Sequence, residues 1–325
     1  MSDTRSYVGT IIDGHCHVAS THFIPRDFVE GTARNVAAKL RATGVERSIG
    51  ELTEGVLKQH QDHQADGFVR ELDDSGVAQA VLLLPDFTFT SKCDLTIAEM
   101  IERHRQICER HPGRFFVFAG VDPRWGRDGL DLFAKTIQDP RFQGLKLYPP
   151  CGYSASDRAL YPYYELCREY RAPVLLHVGP TAPTLSFSYS NPWLVDQAAL
   201  DFPDVNFILA HAAVHFVEEC LTLAEYRPNI FLDISAFPSI SPAPNGWKAA
   251  LPKMFQRGVN HKILFGTDWP LFGTGRHRRL LEAFLGHGGP LNGISGSQRD
   301  WIMQANISRL IASKKSSRRG GRNSG

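Results

Sequence analysis

Two histidines separated by one residue, His15 and His17, lie in the apolar stretch "IIDGHCHV" at positions 11 to 18. Side chains alternate between the two faces of a strand, so this spacing predicts that Asp13, His15 and His17 share one face and that Cys16 takes the other. Histidines at such a spacing can bind a metal ion, but buried neutral histidines that hydrogen-bond to the backbone are also common. The pair alone leaves open whether this strand carries part of a metal site or two structural histidines.

Short apolar runs elsewhere in the chain predict the elements that position such residues. Eight runs rich in Val, Ile, Leu and Phe are candidate strands: 7–18, 79–85, 114–122, 142–149, 173–179, 205–211, 229–235 and 261–268. Segments with helical periodicity separate them, most clearly 94–110, 157–171 and 214–226. Alternation of strands and helices indicates a parallel sheet, and eight units indicate a closed (β/α)8 TIM barrel of the α/β class. An open doubly wound sheet would normally show a Gly-rich phosphate loop after an early strand, and the sequence has none there.

The predicted barrel would gather polar residues at one end. In (β/α)8 barrels the chemistry lies at the carboxyl ends of the strands, where each strand meets its loop. Six ionisable residues fall at these ends: His15, His17, Lys146, His177, His211 and Asp268. Burying so many ionisable groups together is costly unless they pair or bind a metal. We therefore expect a functional site at this end of the barrel.

Length and composition are those of one globular barrel. The chain has 325 residues, of which 42% are hydrophobic and 22% charged. Residues 19–61 exceed a normal strand-to-helix connection, so we expect an extra helix or a lid over the site, with His22, His60 and the adjacent His63 on the surface. We predict a single domain over 1–313, followed by a basic disordered tail over 314–325.

Charge and cysteine usage narrow the functional class. The tail carries five basic residues and no acid, so the rest of the chain is mildly acidic and poorly suited to specific nucleic-acid recognition. Six scattered cysteines without a C-x-x-C pair favour reduced thiols. The N-terminal segment lacks a signal-peptide pattern, and no apolar run has the roughly 20 residues needed to cross a bilayer. These features predict a cytoplasmic protein without a membrane partner.

Several motifs together resemble the amidohydrolase superfamily, and more narrowly its amidohydrolase-2 branch. They are D-x-H-x-H on the first strand, the lysine in "GLKLYPP", the histidines in "PVLLHVGPT" and "ILAHAAV", and the aspartate in "FGTDWP". The resemblance continues through "FAGVDPR" and "IMQANISRL" and stops before the tail. It implies that one divalent metal is bound by four residues, which are His15, His17, His177 and Asp268. Such a ligand set suits Zn²⁺, with Mn²⁺, Fe²⁺ or Co²⁺ as alternatives.

The resemblance also implies a reaction. A metal-activated water would cleave a C–O or C–N bond, in a lactone or amide, of a small cyclic or carboxylated substrate. Asp268 would move the proton of that water to the leaving group, and His211 would stabilise the charge that develops on the attacked oxygen. Lys146 would bind a substrate carboxylate; the alternative, which we favour less, is a carboxylated Lys146 that bridges a second metal. Tyr148 and Trp269 would contact the substrate.

Other interpretations stay open. The same branch includes non-oxidative decarboxylases of aromatic or unsaturated acids, whose metal ligands are of the same types. A metal-free scaffold whose basic tail binds nucleic acid is the non-enzymatic alternative, and barrels of this type often form homodimers. Asp13 and Asp233 either orient a ligand histidine or stabilise the chain locally, and Asp122 is expected to stabilise a turn. Four further residues could line the substrate site: Arg124, Tyr153, Phe272 and Arg276.

Overall fold

The structure, a computed structural model, describes residues 7–237, 246–270, 276–312 and 314. Within these residues, eight parallel strands follow one another around a barrel in sequence order. The strands are β1 (Ile12–Cys16), β2 (Gln79–Leu84), β3 (Phe115–Ala119), β4 (Phe142–Leu147), β5 (Val174–Leu176), β6 (Phe207–Leu209), β7 (Ile230–Asp233) and β8 (Ile263–Leu264). The predicted (β/α)8 TIM barrel is confirmed.

Helices connect the strands and cover the barrel. Those described are α1 (Arg26–Ala42), α2 (Ile49–Gln59), α3 (Asp66–Ser75), α4 (Ile97–Arg110), α5 (Gly126–Thr136), α6 (Tyr161–Tyr170), α7 (Asp196–Asp201), α8 (Val217–Tyr226), α9 (Trp247–Phe255), α10 (Arg276–Leu285), α11 (Gly296–Asp300) and α12 (Asn306–Ala312). A π-helical turn joins α11 to α12. Reciprocal capping boxes begin α2 at Ser48 and α4 at Thr96, where the cap hydroxyl and the glutamate three residues later satisfy free backbone N–H groups. No helix in the described part of the chain is both long and apolar enough to cross a bilayer.

Backbone hydrogen bonds between the segment after β8 and β1 close the barrel. Gly14 N donates to Phe265 O at 2.9 Å, Asp268 N to His15 O at 2.8 Å, and His17 N to Trp269 O at 2.7 Å. A side chain at Gly14 would meet the Phe265 carbonyl oxygen at 3.0 Å, so glycine allows the close approach of the two segments. The closure brings His15, His17 and Asp268 to the same end of the barrel.

Two apolar layers hold the barrel together. An inner layer fills its interior with side chains such as Ile12, Phe118 and Phe231, and Ile307 of α12 packs against it. A larger outer layer lies between the strands and the surrounding helices and includes Cys16. The six cysteines are free, and five of them are buried. Cys16 therefore packs in the outer layer, as its place in the strand predicts.

A register shift in β1 changes one prediction. The pairing of β1 with β2 slips between Asp13 and Cys16, which breaks the simple alternation of side chains. As a result Asp13 lies with Cys16 outside the barrel, where its carboxylate contacts His277 of α10, while His15 and His17 line the cavity at the barrel end. The prediction that Asp13 shares a face with the two histidines is wrong.

The stretch between β1 and α3 folds as the two helices α1 and α2. Phe23, Phe28 and His60 from this stretch line the cavity, so it covers the barrel end. His60 is only 4% exposed, which contradicts its predicted surface position. Lys314 donates to the backbone carbonyls of Asp139 and Phe142, and the rest of the predicted tail lies outside the described residues.

Candidate active site

A cavity of about 290 Å³ opens at the carboxyl ends of the strands. Its polar floor is formed by strand-end residues, namely His15, His17, Lys146, His177, His211 and Asp268. Its walls are mostly apolar and include Phe23, Ile24, Phe28, Leu83, Leu84, Phe87, Pro180 and Pro270. The six residues that the sequence places at strand ends thus surround one space, which suits a small and largely apolar ligand with an acidic or polar group.

Asp268 lies at the centre of the floor. Its Oδ1 is 3.5 Å from Nε2 of His15 and 3.5 Å from Nε2 of His17, and it is buried without a hydrogen-bond partner. Burial opposes ionisation of this carboxyl group, but the neighbouring imidazoles of His17, His211 and His15, in their protonated form, outweigh it and hold its pKa below the usual range. The backbone of Asp268 is left-handed, with φ of 59°, a conformation that concentrates at functional sites. The result is an ionised oxygen that faces two imidazole nitrogens.

Hydrogen bonds fix the tautomers of the two β1 histidines. Nδ1 of His15 is 2.9 Å from Oδ2 of Asp233, and Nδ1 of His17 is 2.8 Å from the carbonyl oxygen of Leu83. Both partners accept hydrogen bonds, so each Nδ1 carries the proton. In the neutral form of each ring, Nε2 then keeps a lone pair, and both lone pairs belong to the atoms that approach Asp268.

The histidines that follow β5 and β6 are fixed in the same way. Nε2 of His177 is 2.9 Å from the Pro180 carbonyl oxygen, which leaves its Nδ1 unprotonated. Nδ1 of His211 is 2.8 Å from Oγ of Ser235, whose hydroxyl donates to Asp233, so Nε2 of His211 keeps its lone pair. Burial lowers the pKa of His177 well below its usual value and that of His211 to about 4. His177 and His211 therefore each offer an unprotonated nitrogen near neutral pH.

Asp233 at the end of β7 connects these rings. Besides the His15 ring, its carboxylate accepts from the backbone N–H of His211 at 2.9 Å and from the backbone N–H of Ser235 at 3.0 Å. Burial opposes its ionisation, yet the charge that His15 carries when it is protonated, together with the hydrogen bond from its ring, holds the pKa of Asp233 below the usual range. Of the two roles open from the sequence, orientation of ligand histidines fits the geometry of Asp233.

Lys146 and Tyr148 extend the site from β4. Lys146 is 1% exposed, and its Nζ donates to no other residue in the described part of the chain. Burial lowers its pKa to about 8, against the attraction of Asp233 and Asp268. The Tyr148 ring stacks on His177 with centroids 4.1 Å apart, and its hydroxyl lies 3.1 Å from Oγ1 of Thr181. Lys146 thus places a buried ammonium group beside an aromatic wall.

Trp269 lies outside the cavity. Its indole stacks on Phe68 of α3 at 4.1 Å, and its Nε1 donates to Glu71 at 2.7 Å. The left-handed turn at Asp268 directs the chain outward, so Trp269 packs between barrel and helix and is not among the residues that line the cavity, where the predicted substrate contact would lie.

Other candidates for substrate contact lie elsewhere. Arg124 pairs with Asp122 at 2.6 Å, and Asp122 also accepts from the backbone N–H of Arg124, as expected of a turn-stabilising residue. The Tyr153 hydroxyl accepts from the backbone N–H of Tyr148. Phe272 and the side chain of Arg276 lie outside the described residues.

The donor set fits a divalent cation. Nε2 of His15 and His17 and a carboxylate oxygen of Asp268 lie within 4.8 Å of one another. The carboxylate oxygen has no hydrogen-bond donor, and the two nitrogens are unprotonated, so these atoms supply electron pairs without a partner. Nδ1 of His177 and Nε2 of His211 offer two more nitrogens on the same floor, although neither lies in that close group.

Three residues of the site were not assigned to it from the sequence. Ser235 holds the His211 ring, while His60 and His104 line the cavity wall. One signal was available for His104, because it occupies a position in the apolar stripe of α4 together with Met100 and Ile107. His60 directly follows α2 in a polar stretch, and its inward position depends on how that helix packs.

Comparison with known proteins places this barrel in a family. The model described as Amidohydrolase matches residues 12–311, and the chain belongs to that family. Members of the family are divalent-metal-dependent enzymes. Among curated proteins, Protein fluG of Emericella nidulans is 27% identical over 101 residues, a match that covers 31% of this chain and 11% of that protein.

Solved structures share the fold. An uncharacterised TIM-barrel protein from Bordetella bronchiseptica matches with a TM-score of 0.65 and 20% identity, over 94% of this chain and 99% of that chain. A 5-carboxyvanillate decarboxylase from Novosphingobium aromaticivorans, solved with bound manganese, matches with a TM-score of 0.60 and 12% identity, over 95% and 98% of the two chains.

Proposed function

We propose that this protein is a metal-dependent hydrolase that cleaves the C–O or C–N bond of a small, cyclic and carboxylated lactone or amide. The observation that carries the proposal is the ionised, buried Oδ1 of Asp268, which lacks a hydrogen-bond donor and faces two unprotonated imidazole nitrogens. A carboxylate in this state is a proton acceptor at neutral pH, as water activation requires.

His15, His17, His177 and Asp268 would hold the cation, for which we propose Zn²⁺. Bound there, it would supply Lewis acidity and lower the pKa of water. Asp268 would accept a proton from the attacking water, whose oxygen adds to the substrate carbonyl carbon. As the bond from that carbon to the leaving oxygen or nitrogen breaks, Asp268 returns the proton to the leaving atom.

The tautomer of His211 leads us to propose a different role for it than the sequence predicts. Stabilising a developing oxyanion requires a proton on Nε2, but Ser235 holds the proton of the ring on Nδ1. We therefore propose that His211 accepts a hydrogen bond through Nε2. Lys146 is the ammonium group on the floor of the cavity and is the better partner for a substrate carboxylate or a developing oxyanion.

Decarboxylation is the second candidate function, and the surroundings of Lys146 favour it specifically. Its buried ammonium group lies between apolar walls and the aromatic ring of Tyr148. A planar acid would place its carboxylate at this end of the cavity and its ring against the apolar walls. The manganese-containing decarboxylase with the same fold is consistent with such a substrate.

A substrate panel separates the two reactions. The protein, loaded in turn with Zn²⁺ and Mn²⁺, is incubated in ¹⁸O-labelled water with carboxylated lactones, carboxylated amides and hydroxybenzoates. Hydrolysis predicts acid release with one ¹⁸O atom in the product, and Asp268→Asn should abolish it. Release of carbon dioxide without ¹⁸O in the remaining product would contradict the proposed hydrolysis and favour decarboxylation. Metal analysis of the same protein should give one equivalent per chain; two equivalents would indicate the bridged site at Lys146.

A further inference from the structure

Two histidines on the cavity wall take no part in the floor described above. His104 lies on α4 and His60 directly follows α2, so neither belongs to a strand end. Both are buried, at 1% and 4% exposure, and both line the cavity. The ring of His104 packs against Phe23 with centroids 4.5 Å apart. A polar ring in an apolar wall raises the question of what it contacts.

The helix backbones fix the tautomers of both rings. Nδ1 of His104 is 2.8 Å from the carbonyl oxygen of Met100, and Nδ1 of His60 is 2.9 Å from that of Val56. A carbonyl oxygen only accepts, so Nδ1 carries the proton in each ring and Nε2 carries a lone pair. Burial lowers the pKa of His104 to about 4 and also lowers that of His60, which keeps both rings neutral near pH 7.

The lone pairs are not used within the protein. Among the described residues, no group donates a hydrogen bond to Nε2 of His104 or His60. Neither nitrogen is among the fully enclosed polar atoms that lack a partner, so each can accept a hydrogen bond from a ligand in the cavity that both rings line. The wall thus contains two hydrogen-bond acceptors, whereas Lys146 on the floor is a donor. A ligand that satisfies both ends must carry an acidic group and a hydrogen-bond donor.

We propose that His104, assisted by His60, is a specificity residue that accepts a hydrogen bond from a hydroxyl or N–H group of the substrate. This proposal rests on the proposed function, because it adds a donor group to the carboxylated cyclic substrate assigned there. Planar acids with a ring hydroxyl or ring N–H are the class that fits. Analogues with an acceptor or no polar atom at the same ring position leave Nε2 unpaired and are disfavoured.

Binding to the wild-type protein tests the proposal without a variant. Equilibrium dialysis of the Zn²⁺-loaded protein compares each hydroxybenzoate isomer with the fluorobenzoate of the same position, which has a similar size but no donor. At least one hydroxy isomer should bind about tenfold more tightly than its fluoro partner, as expected of one hydrogen bond. Equal affinities within every pair, or no binding by any isomer, would overturn the proposal.

The His104→Phe variant tests whether the preference for the hydroxybenzoate over its fluoro partner comes from His104. Phenylalanine keeps a planar ring of similar volume and removes Nε2, so the tenfold preference should fall to about one while the affinity for the fluoro partner stays unchanged. A purely structural role would weaken both partners equally and would contradict the proposal, as would a preference that persists. His63→Phe, outside the cavity lining, is the matched control and should keep the preference.

Nitrogen NMR provides a readout that does not depend on turnover. In ¹⁵N-histidine-labelled protein, the resonance lost in His104→Phe should show an unprotonated Nε2 that shifts on addition of the preferred hydroxybenzoate but not of its fluoro partner. A protonated Nε2 at neutral pH would contradict the assigned tautomer. If the hydroxy preference is present and the substrate panel shows no turnover, the proposed function fails alone; turnover without the preference overturns only this inference.

Discussion

At the residue scale, the site depends on the hydrogen bonds behind the imidazoles. In each of these rings, the nitrogen on the cavity side keeps its lone pair because the other nitrogen donates a hydrogen bond to an acceptor. The acceptors are Asp233 for His15, the Leu83 carbonyl for His17, the Pro180 carbonyl for His177 and Ser235 for His211. Such partners orient ligand rings and raise their basicity. Asp233 acts directly on one ring and, through the Ser235 hydroxyl, on a second.

Replacement of Asp233 should therefore weaken metal binding although it is not itself among the proposed ligands. In Asp233→Asn the acceptor of the His15 proton loses its charge, and the His15 ring is no longer held in one tautomer. We expect metal affinity to fall about 10- to 100-fold, measured by competition with a chelator of known affinity. Asp131→Asn, at an exposed surface pair, is the control and should bind metal like the wild type. Unchanged affinity in Asp233→Asn would show that the ring needs no such support.

At the element scale, close backbone contacts hold the strand ends together. Gly120, directly after β3, shows this most clearly, because a Cβ there would lie 2.6 Å from the Leu84 carbonyl oxygen and 2.7 Å from the Lys146 carbonyl oxygen. Helix α10 is attached differently, through His277, whose Nε2 is 2.7 Å from Asp13 of β1 and whose Nδ1 is 3.1 Å from Glu71 of α3. The contact at Gly120 is therefore steric, whereas the contact of His277 with Asp13 and Glu71 is ionic.

Gly120→Ala should destabilise the fold and displace Lys146. The added methyl group meets backbone atoms of β2 and β4, which can only move apart, and overpacking of this kind costs about 1–3 kcal/mol. Urea denaturation should show this loss. Gly55→Ala is the control, because a methyl group there meets nothing within 4 Å in α2 and should leave stability equal or slightly higher. Equal stability of both variants would mean that the strand ends can separate freely.

His277 should make stability depend on pH. Burial disfavours its charged form, but Asp13 and Glu71 outweigh this and raise its pKa to about 9. The stabilisation that results from this raised pKa is fully present below the unfolded pKa of about 6.5 and is lost as pH rises towards 9. The neighbouring groups do not offset this, since Asp13 and Glu71 have lowered pKa values and the Cys16 thiol a strongly raised one.

The contribution of His277 to the free energy of unfolding should therefore fall between about pH 6.5 and 9.5, which is measured as the difference between the wild type and His277→Gln. The lowered pKa values of Lys146 and Lys314 act in the opposite direction above about pH 8, but they do so in both proteins and cancel in this difference. His277→Gln should lose about 3–5 kcal/mol at pH 6.5, because Asp13 keeps a buried charge without its partner, and this loss should shrink as pH rises. Denaturant titrations across this range measure both effects. Parallel profiles for the two proteins would exclude His277 as the titrating group.

At the scale of the whole molecule, the order of elements was predictable and some side-chain directions were not. Alternation of apolar runs and helical segments predicts eight strands, and a closed barrel then requires their carboxyl ends to meet, which brings His177 and Asp268 to the β1 histidines. The register shift in β1 and the left-handed turn at Asp268 depend on neighbouring strands, so the directions of Asp13 and Trp269 could not follow from alternation. His60 reaches the cavity only because α1 and α2 fold over the barrel end.

Because the proposed metal ligands lie on β1, on the chain after β5 and on the chain after β8, metal binding should stabilise the whole barrel. A cation that binds only the folded state at 100 times its dissociation constant adds about 2.7 kcal/mol, so chelation should lower the melting temperature. His17→Ala should lose this difference, because Nε2 of His17 belongs to the proposed metal site. Cys16→Ala should keep it, since Cys16 is buried in the layer outside the barrel. Differential scanning calorimetry of the three proteins with Zn²⁺ and with chelator measures the effect. A wild-type melting temperature that does not respond to Zn²⁺, or equal responses in both variants, would contradict a metal site on this floor.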